Sequence, residues 1–243
     1  MGKRLIQQCR GKGSLTYRVR PSAYKHKISY PALSVNGFGK IVKLINSAGH
    51  TAPLAKIEIM VEKAGKKEKI NFIVPAADGV YEGQEIFIGL REKGKPEKGD
   101  IVALKDIIQG TKVFNVEIAP GKGGKILRTG GSSGIIMTRD EKGVELIIRR
   151  RKLKINKDSR AIIGVAAGEG RITKPLIKAG KKHHLMKSVG RKWHRTSAIK
   201  RNAVDHPFGS GRGKRAKSKI AKRNSPPGLK VGHIRPSRTG RKK

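Results

Sequence analysis

All but one of the chain's carboxylates fall between Glu58 and Glu169. Residues 1–57 carry 11 Lys and Arg and no Asp or Glu, and residues 170–243 carry 24 with the single acid Asp205. The 112 residues between them hold 22 basic against 16 acidic side chains, so the net charge of +40 divides as +11, +6 and +23. A nearly balanced segment folds around a core in water without help. Ends charged +11 and +23 repel themselves and need a polyanion to become compact. The pattern predicts a small folded body with two basic arms directed at nucleic acid.

The length of 243 residues allows one or two ordinary domains, and the low hydrophobic content of 36% places the shortfall in the arms. Cys9 is the only cysteine, which excludes an intrachain disulfide and suits a reducing compartment. No apolar run approaches the ~20 residues of a membrane helix. The start, Met1-Gly2-Lys3-Arg4-Leu5-Ile6, has no apolar signal region and fails the myristoylation pattern at position six. A soluble, intracellular protein with no membrane partner is expected.

Residues 1–35 read as an extended arm, interrupted by Gly11, Gly13, Pro21 and Pro31. Residues 36–110 then show the period of two that marks strands: Ile41–Ile45, then Ile57, Ile59 and Val61, then Ile70, Phe72 and Val74. Ala64-Gly65-Lys66-Lys67 is the hairpin turn between the last two. Ile86, Ile88 and Leu90 predict another strand, Gly94-Lys95-Pro96 and Gly99-Asp100 are turns, and Ile101–Leu104 follows. Short strands with short turns predict a closed barrel of the OB-fold kind. Residues 111–168 give a second set at Val113–Ile118, Lys125–Arg128, Ile135–Thr138, Val144–Ile148 and Ala161–Val165, with a turn at Asp140–Gly143. The size of this block fits a small SH3-like barrel. The fold class is therefore mainly β, two barrels with basic extensions. Residues 169–243 are rich in Gly, Pro, His, Lys and Arg, and only short helical turns are predicted there, at His183–Ser188 and Arg215–Arg223.

Lys and Arg neutralise phosphates and release counterions, while glycines let backbone N–H groups approach phosphate oxygens. After Gly168 the only aromatic residues besides histidine are Trp193 and Phe208, so base stacking along a single strand is not the main mode. Recognition of folded RNA through phosphate and shape is expected. A DNA-packaging protein is the alternative, although no helix-turn-helix or zinc-finger spacing is present. Gly121-Lys122-Gly123-Gly124-Lys125 resembles a phosphate-cradling loop but lacks the Gly-Lys-Ser/Thr of a nucleotide-hydrolysing P-loop. Arg149-Arg150-Arg151-Lys152 reads as a basic turn after a strand that clamps phosphates. The five histidines of the tail have no second cysteine and one carboxylate among them, so no metal site and no cofactor is expected. Asp205-His206 near Ser197 and Ser210 raises the alternative of an RNA-modifying or RNA-hydrolysing enzyme. Triads, however, are assembled from distant segments. As the lone acid of the tail, Asp205 is expected to pair with Lys or Arg, or to accept from an RNA 2′-hydroxyl.

Asn202-Ala203-Val204-Asp205-His206-Pro207-Phe208-Gly209-Ser210-Gly211 is similar to the N-x-V-D-H-P-x-G-G-G signature of the universal large-subunit ribosomal protein two family. Asn115-Val116-Glu117 with Pro120–Gly124, Ala167–Arg171 with Lys174-Pro175, Gly180–His184 and Lys192-Trp193 match it in order. Ser225–Gly232 and the start of the chain, Met1–Arg4 through Arg10–Gly13, resemble the archaeal and eukaryotic form. Ser197–Arg201 replaces the usual Arg-Gly-x-Ala-Met, and Ser210 interrupts the signature glycines. The resemblance implies an OB-fold followed by an SH3-like barrel, with both ends threaded into large-subunit rRNA in a cytoplasmic ribosome. It implies a position near the peptidyl transferase centre, support of subunit association and tRNA placement, and other large-subunit proteins, the small subunit and tRNA as partners. No catalysis is expected, and His206 is expected to organise RNA. The expected rRNA contacts are Arg10, Lys12, Lys122, Lys125, Arg149, Arg150, Arg151, Arg171 and Lys174, then Lys181, Lys182, His183, His184, Lys187, Lys192 and Trp193. Lys200, Arg201, Asn202, Asp205, His206, Gly209, Gly211 and Arg212 complete them.

Overall fold

A computed structural model describes residues 3–63, 65–89, 96–140, 143–212, 220–221, 224, 231 and 233–234. The chain separates into two units, Pro21–Leu176 and the pair of ends Met1–Arg20 with Ile177–Lys243.

In the Pro21–Leu176 unit, alternating apolar residues become strands because every second side chain reaches the same face. β1 (Gly37–Ile45), β2 (Leu54–Lys63) and β3 (Lys66–Pro75) form an antiparallel meander with Gly39 opposite Ile59 and Ile57 opposite Phe72. Lys63 pairs with Lys66, so the turn between β2 and β3 is tighter than Ala64–Lys67 and both lysines expected in it belong to β3. β4 (Glu85–Ile88) flanks β1 on its other side, and β5 (Ile101–Ala103) joins β4 in parallel at Ile88 and Ile101. Asp100 fixes that junction. Its buried carboxylate accepts the N–H groups of Phe87 and Glu97, each at 2.8 Å. Leu104, expected to extend this strand, begins a 3-10 turn through Asp106 instead. Leu90, Gly94 and Lys95 lie outside the described residues.

The second set follows as β6 (Lys112–Phe114), β7 (Val116–Glu117), β8 (Gly124–Ile126), β9 (Gly134–Asp140) and β10 (Gly143–Ile148). The strand expected over Val113–Ile118 is interrupted by Asn115 at φ +51, a left-handed conformation that Asn tolerates better than most residues. β11 (Arg151–Ile155) was not anticipated, because its alternation is hidden under Arg and Lys; its first four residues are exposed and only Ile155 is buried. β12 (Arg160–Ile163) closes the set.

β12 lies between β5 and β6, and it joins both halves into one sheet of order β11-β10-β9-β6-β12-β5-β4-β1-β2-β3. The period of two then serves two cores from one strand. Ile101 and Ile162 enter a core with Ile41, Ile57, Ile59 and Phe72. Val102, Ala161 and Ile163 enter another with Val113, Ile136 and Leu146. β5 and β12 are apolar at nearly every position because both of their faces are covered. Each such buried aliphatic side chain contributes about 1.5–3 kcal/mol. The architecture is mainly β.

The ends are less extended than expected. α1 (Ile6–Gly11) forms in the first arm, with the Leu5 N–H donating to Gln8 Oε1 at 2.9 Å, and 3-10 turns follow at Leu15–Tyr17 and Pro21–Tyr24. Short α2 (Gly170–Thr173) precedes α3 (Ala179–Ser188), which starts one turn earlier than the expected His183–Ser188. None of the residues of α3 is buried, so the apolar signal for its start is weak. β13 (Ile220–Ala221) and β14 (His233–Ile234) pair in parallel, and most of Arg215–Arg223 lies outside the described residues.

Candidate nucleic-acid interface

The Gly-rich loop connects β7 to β8; Lys122 is exposed on it and Lys125 is exposed on β8. What holds this loop is a carboxylate. Glu117 is fully buried; its Oε1 accepts the Gly123 N–H at 3.0 Å and the Arg160 Nη2 at 3.1 Å. Its Oε2 accepts the Arg160 backbone N–H at 3.0 Å. The Arg160 guanidinium lies 5.1 Å from the Tyr30 ring centre, and the Tyr30 hydroxyl donates to the Asn115 carbonyl at 2.6 Å. Burial pushes the Tyr30 phenol well above its ordinary range and the Glu117 charge pushes the same way, so it stays a neutral donor. A Cβ on Gly124 would collide with Asn115, which explains why the loop closes on glycine there. Tyr30 and Arg160 carry no role in the sequence reading, and Asn115 enters it only within the Asn115-Val116-Glu117 motif, because nothing local marks a group assembled from residues so far apart.

Arg149 and Arg150 form the turn between β10 and β11, Arg151 opens β11, and Arg171 sits on α2. The four line one cleft, although the sequence separates Arg171 from the other three. Lys174 is exposed beyond α2 and outside this cleft.

In the unit of the two ends, Arg10 and Lys12 lie at the end of α1, and α3 carries Lys181, Lys182, His183, His184 and Lys187. The rings of His183 and His184 are 5.4 Å apart and tilted, and among the described residues no group of three metal-ligating side chains forms. Arg10, Lys192 and Trp193 line a shared pocket with Tyr17 and His194, and Trp193 stacks on His194 at 4.1 Å between ring centres. Lys200 is exposed at the end of a 3-10 turn, and Arg212 is exposed after the signature loop.

The signature loop is tied to itself. The Asn202 carbonyl accepts the N–H groups of Asp205 and His206 at 2.9 and 3.1 Å, and the Arg201 carbonyl accepts the Ser210 N–H at 3.2 Å. Gly209 is buried against the Arg201 and Asn202 carbonyls, where a Cβ would collide. Ser210 and Gly211 both hold positive φ, +75 and +93, a left-handed path that a serine adopts only at some steric cost. His206 Nδ1 accepts the Phe208 N–H at 3.1 Å, which leaves Nε2 as the N–H donor. Burial lowers the His206 pKa and the neighbouring Arg201 lowers it further. Arg201 and His206 line a pocket with Leu5, Arg195 and Phe208. Asp205 pairs with Lys3 at 3.0 Å, and the Lys3 N–H donates to the Val204 carbonyl at 2.9 Å. The expected basic partner of Asp205 thus comes from the other end of the chain. With Nδ1 occupied by a backbone N–H and Asp205 turned to Lys3, the Asp205-His206 pair does not make the carboxylate–imidazole bond of a triad.

Residues 97–228 match the family described as "Ribosomal Proteins L2, C-terminal domain". The chain is 41% identical to the large ribosomal subunit protein uL2 of Hyperthermus butylicus over all of both chains. It is 40% identical to that of Methanocaldococcus jannaschii, again over all of both, and 39% identical to that of Natronomonas pharaonis over 99% of this chain and 97% of the relative. With these full-length matches and the self-bonded Asn202–Gly211 loop, the chain belongs to the universal large-subunit ribosomal protein two family, in its archaeal form.

Proposed function

We propose that this chain is a structural constituent of the large ribosomal subunit and that its cations hold large-subunit rRNA. Its full-length likeness to archaeal large-subunit proteins carries the reading. The assigned contacts are Arg10, Lys12, Lys122, Lys125, Arg149–Arg151, Arg171 and Lys174. The tail contributes Lys181–His184, Lys187, Lys192, Trp193, Lys200–Asn202, Asp205, His206, Gly209, Gly211 and Arg212. Exposure of the assigned Lys and Arg residues, of which only Lys182 and Arg201 are half-buried, supports phosphate neutralisation. Residues 36–110 and 111–168 serve as OB-fold-like and SH3-like bodies, and residues 1–35 and 169–243 as RNA-binding extensions. The finer reading places the protein near the peptidyl transferase centre, where it supports subunit association and tRNA placement beside other large-subunit proteins. Its part there is to position RNA, and His206 does so as a neutral Nε2–H donor.

Sedimentation tests this. Tagged protein expressed in an archaeal host should travel with large subunits through a gradient after a high-salt wash. Recovery at the top of the gradient, with subunits lacking it, would overturn the assignment.

A further inference from the structure

Arg149, Arg150, Arg151 and Arg171 converge on a cleft of ≈ 770 Å³, and none of its lining residues is a carboxylate. Four guanidiniums in one cleft, with no carboxylate among its described lining residues, select an anion, and their planar forks suit phosphate oxygens. The rest of the lining is not what a phosphate alone requires. Ile126, Leu127 and Ile148 are only half-buried in it, and Ile172 is 68% exposed. Thr129 and Ser133 place hydroxyl side chains along the same cleft.

The turn that carries those hydroxyls is fixed. The Gly130 N–H donates to Thr51 Oγ1 at 3.0 Å and the Gly131 N–H to the Ala166 carbonyl at 2.8 Å. Arg171 Nε donates to the Gly130 carbonyl at 3.1 Å, so one of the four guanidiniums is itself held in place. Gly131 sits at φ +74, and a Cβ there would meet Glu169 Cα at 2.8 Å. The turn and Arg171 are therefore in place before any ligand arrives.

A paired RNA strand offers this surface phosphates, riboses and 2′-hydroxyls but no exposed base face, and the aliphatic lining would stay wet. A nucleotide turned out of the stack offers a phosphate together with the apolar face of a base and polar edges. We propose that this cleft receives a single unpaired nucleotide of RNA. The four arginines hold its phosphates, Ile172 and its aliphatic neighbours cover the base face, and Thr129 and Ser133 bond its polar edge or 2′-hydroxyl. The proposal rests on the rRNA-binding reading and adds to it a defined occupant.

Full-length protein is titrated with three labelled RNA hairpins: fully paired, with one unpaired nucleotide in the stem, and with an abasic residue in that unpaired place. The unpaired nucleotide should improve affinity about fivefold or more over both others, the range given by covering one base face. Ile172→Ala should remove most of that preference and leave the paired hairpin unchanged; its exposure means the fold tolerates it. Arg150→Ala should weaken all three and flatten their salt dependence. Equal affinity for the three hairpins, or a preference that survives Ile172→Ala, would overturn the assigned occupant. Absence of binding to every hairpin at moderate salt would overturn the rRNA reading itself, and the cleft with it.

Discussion

Glu117 and Arg160, 43 residues apart, form a buried ion pair whose carboxylate also carries the backbone of the Gly-rich loop through Gly123. Every oxygen of Glu117 has a donor, so the burial of charge is offset here, and removal of one partner leaves the other uncompensated. Glu117→Gln or Arg160→Met alone should destabilise the protein by about 3–5 kcal/mol. Glu117→Gln and Arg160→Met together should cost less than the sum of the two, because no charge is then left buried and unpaired. Denaturant unfolding of the singles and the double gives the comparison; additive losses would show that the pair does not act as a unit.

Gly124 should resist substitution. Gly124→Ala puts a Cβ into Asn115, and overpacking of this kind costs about 1–3 kcal/mol. Gly65→Ala is the control, since no atom lies within 4 Å of its Cβ, although its φ of +74 adds backbone strain of about 1–2 kcal/mol. RNA affinity should fall for Gly124→Ala and hold for Gly65→Ala, measured by titration with an rRNA fragment.

Ser210 occupies a left-handed backbone position at φ +75. Ser210→Gly removes that strain but adds freedom to the unfolded chain, and the two nearly cancel. Ser210→Val puts a β-branched side chain where it is least tolerated and should cost about 1–2 kcal/mol locally. Hydrogen exchange of the His206 and Gly209 amides reads this directly: faster in the valine variant, unchanged with glycine.

Acid should loosen the signature loop. The folded pKa of His206 is depressed by burial and by Arg201, so the fold favours the neutral ring. Its contribution is complete above the unfolded value of about 6.5 and is lost as pH falls through the lower folded value. Protonation of Nδ1 breaks the bond from Phe208 N–H. Ring titration by NMR on the RNA-free protein should give a His206 midpoint below that of an unfolded control, with Phe208 amide exchange rising over the same range.

The strands that feed the cores were legible because Ile57, Ile59, Ile70 and Phe72 alternate cleanly, and β5 and β12 because their apolar runs are continuous. β11 was not, since its exposed Arg and Lys carry no period. The interruption at Asn115 was hidden for a different reason: the left-handed residue packs on Gly124 and accepts from Tyr30, the latter 85 residues away. The candidate interface divides the same way. Basic and glycine-rich runs announce themselves by composition. The convergence of Arg171 with Arg149–Arg151, and the partnership of Asp205 with Lys3, depend on how the chain returns, which composition does not record.

Holding folded rRNA chiefly through neutralised phosphates makes binding strongly dependent on salt. A salt titration of full-length protein on a large-subunit rRNA fragment, with an equally long DNA duplex as competitor, tests it most directly. The logarithm of affinity should fall against the logarithm of salt with a slope of about −5 or steeper, with rRNA preferred over the duplex throughout. A shallow slope, or equal affinity for the DNA duplex, would contradict it.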